Sequence, residues 1–134
     1  MANKILKIFS DANFKQGSKK KKHVLSFGYT FYVDNIKVYE YFKPSVETEH
    51  VKNSLEAELF SILHAMDTVR QHKGNILHFN ILNAHIYCDC IHVPKAVETY
   101  GVKDLLHIPN LPYQIFWLTR NHPKIKYIDS TIRI

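Results

Sequence analysis

Ile5-Leu6-Lys7-Ile8-Phe9-Ser10-Asp11 is the stretch that decides the fold. From Ile5 to Ser10 apolar and polar side chains alternate, the period of a half-buried strand, and the run ends at an acid. Residues 13–22, beginning Asn13-Phe14-Lys15 and closing on four consecutive lysines, read as a polar turn segment. Residues 24–33 are rich in β-branched and aromatic side chains and form a second strand. Asp34-Asn35 is a tight hairpin signal without the usual glycine. Residues 36–42 alternate again as a third strand, which Pro44 closes. The first three elements are an antiparallel meander.

A helix follows the meander. Asn53 or Ser54 can cap it, and Asn53 with Glu56 three residues on is the better capping pattern. Leu55, Leu59, Ile62, Leu63, Met66 and Val69 lie along one stripe, and Lys73-Gly74 ends the element. Glu58 sits on the edge of that stripe. Residues 76–82 and 84–89 are β-prone, as one strand or as two with a turn at Asn83, and end at Asp89. A short helix is expected near 91–100, started or broken by Pro94, then a loop through 112 and a strand over 113–119. Asn121-His122-Pro123 is a turn, and residues 125–134 read as a strand or a short terminal helix. The order β-β-β-α-β-(α)-β-tail is an α/β domain built on a mixed five-stranded sheet with one main helix.

The chain has 134 residues, the size of one domain, so residues 1–134 are expected to share one core. No apolar run approaches the roughly 18 residues that span a bilayer. The first eight residues alternate and carry Lys4 and Lys7, unlike a secretory leader. Cys88 and Cys90, one residue apart, make a poor disulfide, which fits a reducing cytoplasm. Eighteen Lys and Arg against twelve Asp and Glu give a net charge of +6. Fifteen of the eighteen are lysine, with Lys19, Lys20, Lys21 and Lys22 adjacent. The cluster is either a solubilising loop or a contact for a polyanion, most often nucleic acid.

With acids in the minority, their places carry more weight. Asp11 and Asp89 end two strands, and Glu58 lies in the first turns of the main helix. If those strands are parallel neighbours, their carboxyl ends bring Asp11 and Asp89 side by side, where open α/β sheets place their sites. Clustered carboxylates repel each other and call for a hard divalent cation such as Mg²⁺ or Mn²⁺.

Three motifs occur in order: Ile8-Phe9-Ser10-Asp11-Ala12-Asn13, Ala57-Glu58-Leu59-Phe60-Ser61-Ile62-Leu63 and Ile86-Tyr87-Cys88-Asp89. With the meander and amphipathic helix between them, they resemble the ribonuclease H family of type 1 over about two thirds of the chain. The resemblance implies an RNase H-like fold. It implies that Asp11, Glu58 and Asp89 are catalytic carboxylates holding two Mg²⁺ or Mn²⁺ ions, about 4 Å apart. The fourth family acid corresponds to Asp129, and the family's mobile histidine to His122, although Thr119 stands nearer its expected position. The interval from Asp89 to Asp129 is shorter than in the family and leaves no room for a basic helical protrusion. Five residues follow Asp129, and residues 130–134 look more like strand, so this would be a compact, C-terminally short member. The implied activity is metal-dependent endonucleolytic cleavage of RNA in an RNA–DNA hybrid. Lys19, Lys20, Lys21, Lys22 and Asn13 would contact the nucleic acid. A resolvase-like DNA nuclease is a rival on the same fold. A catalytically silent nucleic-acid-binding or adaptor/inhibitor module, with a protein partner, is the rival outside enzymology.

Other features are weaker. Cys88, Cys90 and His92 repeat every second residue, but no second Cys pair completes a zinc site, and core packing of the cysteines is favoured. Strand alternation would turn both cysteines away from Asp89. His64 and His72 read as ordinary helix positions. Tyr29, Phe31, Tyr39 and Tyr41 read as core or cross-strand pairs, with an RNA-stacking surface as the sharper alternative.

Overall fold

The computed structural model describes residues 4–72, 81–99 and 111–133. Its elements are β1 (Lys4–Lys15), β2 (His23–Val33), β3 (Ile36–Thr48), α1 (Ser54–Gln71), β4 (Ile81–Cys88), α2 (His92–Thr99), β5 (Tyr113–Trp117) and α3 (Pro123–Ile132). The strands form one mixed sheet in the order β3-β2-β1-β4-β5. β1, β2 and β3 pair antiparallel, as the meander requires. β4 lies parallel to β1, and β5 parallel to β4.

Local chemistry accounts for the joints. Asp34 and Asn35 take φ of 53° and 64°, the doubly left-handed turn that matches the twist of a hairpin and that Asp and Asn tolerate best after glycine. Asn53 caps α1: its Oδ1 accepts the Glu56 N–H at 2.9 Å, while Glu56 reaches back to accept the Lys52 N–H at 3.2 Å. Pro44 does not close β3. The strand continues to Thr48 because it is an edge strand, where a missing N–H need not break a ladder, and a register shift absorbs the proline.

Each face of the sheet receives a helix. Even-numbered residues of β1 (Leu6, Ile8, Ala12) join Phe27, Tyr29 and Phe31 under α1, whose buried residues include Ala57, Ile62, Ala65, Met66 and Val69. Tyr29 and Phe31 are fully buried with Tyr39 and Tyr41 packed against them, so these aromatics are core, not an open stacking surface. On the other face Phe9 packs with Ile125, Ile128 and Ile132 of α3. That contact settles the ambiguous C-terminal segment as a helix. Ile125, Ile128 and Ile132 share a helical stripe, and burying it outweighs their strand propensity. The helix thus contains Asp129, and among the described residues the main helix α1 is joined by two shorter ones, α2 and α3. The expected end of α1 at Lys73-Gly74, the start of the fourth strand and most of the loop before residue 112 lie outside the described residues.

Candidate active site

The site forms where β4 stops and β1 continues. Their pairing ends at Phe9↔Tyr87, but β1 runs on to Lys15 against β2 alone. Asp11 therefore lies inside β1, not at its end, beside a notch in the sheet. Two residues past the last pair, Asp89 leaves β4 at the level of Asp11. Glu58 enters the notch from α1, and its Oε1 accepts the Ala12 N–H at 3.3 Å, a donor that β4 no longer covers. Nearby, Ser10 Oγ and Ser61 Oγ share a buried hydrogen bond of 2.7 Å that ties α1 to β1 one turn beyond Glu58.

One carboxylate oxygen each from Asp11, Glu58 and Asp89 lies within 4.8 Å of the others. Asp11 is 1% exposed and Glu58 5%. Among the described residues, neither side-chain oxygen of Asp11, nor Oε2 of Glu58, receives a hydrogen bond. Burial, then the charge and close approach of Asp89, push the Asp11 carboxyl up to about 8. Burial and the charge of Asp11 push Glu58 well above the usual carboxylate range. Buried, donor-poor oxygens that converge on one point fit a hard divalent cation, which would supply the missing positive partner.

The other expected residues are placed differently. Asp129, although buried, bonds elsewhere: its Oδ1 accepts from Asn13 Nδ2 at 3.3 Å and its Oδ2 from Arg133 at 3.0 Å. Burial alone would raise its carboxyl, but those bonds outweigh it and hold Asp129 below the usual range. Its charge still reaches Asp11. Asn13 is thus engaged with Asp129 in this structure. His122 caps α3, its Nδ1 accepting the Lys124 N–H at 3.2 Å, and it stacks on Phe9 with ring centroids 5.8 Å apart. Lys19, Lys20, Lys21 and Lys22 are exposed on the β1–β2 connection and line an open cavity of about 390 Å³ with Thr48 and Glu49. Lys22 Nζ lies 3.7 Å from Glu49.

Cys88 is buried in the core, but Cys90 does not turn away from the acids as alternation predicts. β4 ends at Cys88, so strand periodicity no longer applies at Cys90. It lines a cavity of about 420 Å³ together with Ala12, Asn13, Glu58, Asp89 and Arg120. Arg120 is the residue that sequence pattern did not single out: its Nε donates to Asp89 Oδ2 at 3.1 Å. The available signal was its rarity, one of three arginines, placed between the last strand and His122-Pro123.

No protein-family model matches the sequence, and no curated protein does. Solved structures do resemble the fold. Ribonuclease H1 of the halophilic archaeon Halobacterium salinarum superposes with a TM-score of 0.64 at 13% identity, covering 94% of this chain and 92% of that one. The N-terminal RNase H domain of a Mycobacterium tuberculosis protein gives 0.61 at 12% identity, with 94% of each chain covered. A ribonuclease H1 isolated from compost by a metagenomic approach gives 0.61 at 10% identity, covering 95% and 94%. The chain has the RNase H-like fold, and its acidic triad gathers where β4 ends beside β1, with Glu58 brought in by α1.

Proposed function

We propose that residues 1–134 form a single RNase H-like domain whose activity is metal-dependent endonucleolytic hydrolysis of the RNA strand of RNA–DNA hybrids. The observation that carries this reading is the convergence of Asp11, Glu58 and Asp89, with both Asp11 oxygens free of donors among the described residues. These three would hold Mg²⁺ or Mn²⁺, two ions in the full site, and Asp129 would complete it by its charge or as a fourth ligand. The ions, when bound, supply Lewis-acid charge to the attacking and leaving oxygens at phosphorus. The protein's own part is placement. Asp11 is fixed by its β2 pairing, Glu58 by the Ala12 N–H and the Ser10–Ser61 bond, and Asp89 by the end of β4. The lysines 19–22 would grip backbone phosphates, and a cytoplasmic setting would suit the two free cysteines. Among the described residues no helix is long and apolar enough to cross a membrane.

A second reading, a silent nucleic-acid-binding or adaptor module, is favoured by one observation: Arg120 and Arg133 already neutralise Asp89 and Asp129. The test is cleavage of labelled RNA–DNA hybrid, duplex DNA and duplex RNA in Mg²⁺ and in Mn²⁺, with wild type and Asp11→Asn. Hybrid cleavage lost in Asp11→Asn supports the hydrolase. Cleavage of duplex DNA alone points to a resolvase-like nuclease. A folded protein that binds hybrid and leaves it intact in both metals is the silent module.

A further inference from the structure

The strongest unabsorbed feature is the cation beside the acids. Arg120 follows β5 in a turn, with its side chain 71% exposed, yet it donates to an Asp89 carboxylate that is 4% exposed. The contact is through Nε, not the two-pronged grip that fixes an arginine to a carboxylate. Its charge is felt at Asp11 and Asp129 as well as at Asp89. The other nearby guanidinium, Arg133, is held one helical turn from its own partner, Asp129. Arg120 thus lines the 420 Å³ cavity that adjoins the carboxylates, and its exposed stem lets it swing.

We infer that Arg120 is a resident counter-cation: it occupies Asp89 while the site lacks metal, gives up that carboxylate to a divalent cation, and then contacts a substrate phosphate. The inference rests on the metal-site reading proposed above. Three converging carboxylates need positive charge, and among the described residues the exposed guanidinium of Arg120 is the cation paired with Asp89. A divalent cation binding the same oxygen repels the guanidinium and competes with it. Once displaced, a planar five-donor cation at the rim of the cavity suits the bidentate geometry of a phosphodiester. No bond is made or broken; one ion pair exchanges for two.

The experiment measures Mn²⁺ binding by calorimetry, without nucleic acid, for wild type, Arg120→Ala, Arg120→Lys and Asp11→Asn. Loss of the competing charge should tighten Mn²⁺ binding about tenfold in Arg120→Ala, the order expected for one unit charge a few ångström away. Arg120→Lys should stay near wild type, and Asp11→Asn should bind far more weakly. In saturating Mn²⁺, Arg120→Ala should raise KM for labelled hybrid more than it lowers kcat, and reduce the salt slope of binding by about 0.7–0.9, the share of one phosphate. Unchanged or weaker Mn²⁺ binding in Arg120→Ala, with Asp11→Asn still impaired, overturns the counter-cation role and leaves the metal site standing. Absence of Mn²⁺ binding in wild type and Arg120→Ala alike removes the metal site, and this inference with it.

Discussion

Asp11 stands directly opposite Gly28 in the antiparallel β1–β2 pair, and the glycine makes room for what covers that face. A Cβ built on Gly28 would come within 2.6 Å of Phe42 Cδ1, 3.0 Å of the Tyr41 carbonyl oxygen and 3.2 Å of Ile132 Cγ2. The Phe42 ring can shift, but the Tyr41 backbone cannot do so cheaply, and Ile132 belongs to the helix that holds Asp129. Gly28→Ala is therefore expected to destabilise the fold by about 1–3 kcal/mol, the usual range for overpacking. It should also loosen α3. Chemical denaturation gives the first effect, and hydrogen exchange at residues 125–132 gives the second. Unchanged protection of α3 would show that the sheet alone absorbs the strain.

The acidic site sets the pH dependence of the metal-free protein. Asp11 releases its proton near 3.8 in an unfolded chain but only near about 8 in the folded one. A folded pKa raised above the unfolded value gives stability that is full below the lower value and is lost as pH rises through the higher. Glu58 acts in the same direction. In EDTA, the melting temperature should thus fall between about pH 4 and pH 8. Mn²⁺ should restore it most strongly at the alkaline end, because a ligand of the folded state adds stability by mass action. Asp11→Asn has no charge to bury, so its melting temperature should change less with pH and respond less to Mn²⁺. Calorimetric melts at pH 5, 6.5 and 8, with and without metal, measure all of this.

The Ser10–Ser61 bond links the two elements that deliver Asp11 and Glu58. Ser61→Ala would leave the buried Ser10 hydroxyl without its partner, which costs about 1–3 kcal/mol. The expected activity loss is modest, and a denaturation curve read beside a hybrid-cleavage assay separates the two effects. Activity falling far more than stability would mean that this bond sets the position of Glu58.

How much of this site was legible depended on whether local pattern or tertiary contact decided each residue. The alternation of β1, the Asp34-Asn35 turn and the Asn53–Glu56 cap are local, and the sequence shows them. Asp11 and Asp89 coming level was readable once the two strands were taken as parallel neighbours, but β1 running on past Asp11 to Lys15 was not, because that extension depends on pairing with β2. The C-terminal helix was not. Its isoleucines fit a strand or a helix, and contact with Phe9 decided between them. Pro44 misled because its effect depends on β3 being an edge, a property of the sheet and not of the strand. Cys90 misled because alternation stops with β4. Arg120 reaches Asp89 across 31 residues of chain, and no spacing rule reveals such a pairing.

The lysine segment predicts a salt effect. Lys19, Lys20, Lys21 and Lys22 sit on an exposed connection, and Lys22 is near Glu49. If all four face phosphates, replacing them with alanine should lower the salt slope of hybrid binding by about 0.7–0.9 for each phosphate no longer neutralised. The fold should be unaffected, since surface ion pairs of this kind contribute about 1 kcal/mol or less. An unchanged slope in the quadruple variant assigns the segment to solubility.

Asp129 and His122 should separate electrostatic support from capping. Asp129 is buried and ionised, its charge reaches Asp11, yet its oxygens are bonded to Asn13 and Arg133. Asp129→Asn keeps the shape and removes the charge, so it should weaken Mn²⁺ binding and slow hybrid cleavage less than Asp11→Asn does, with recovery at high Mn²⁺. Because its folded pKa is depressed, the stability it contributes is present above the unfolded carboxylate pKa and is lost as pH falls through the folded one. The variant should therefore narrow the stability difference from wild type under acid. His122→Ala removes the α3 cap, for which about 1 kcal/mol of stability is expected to be lost. Its cleavage rate, corrected for the folded fraction, should stay near wild type if His122 only caps. A loss of kcat with the fold intact that Asn, which can also cap, does not restore would instead give this histidine a part in turnover. Cleavage rates across a Mn²⁺ titration, with denaturation curves for the same variants, measure both residues in one series.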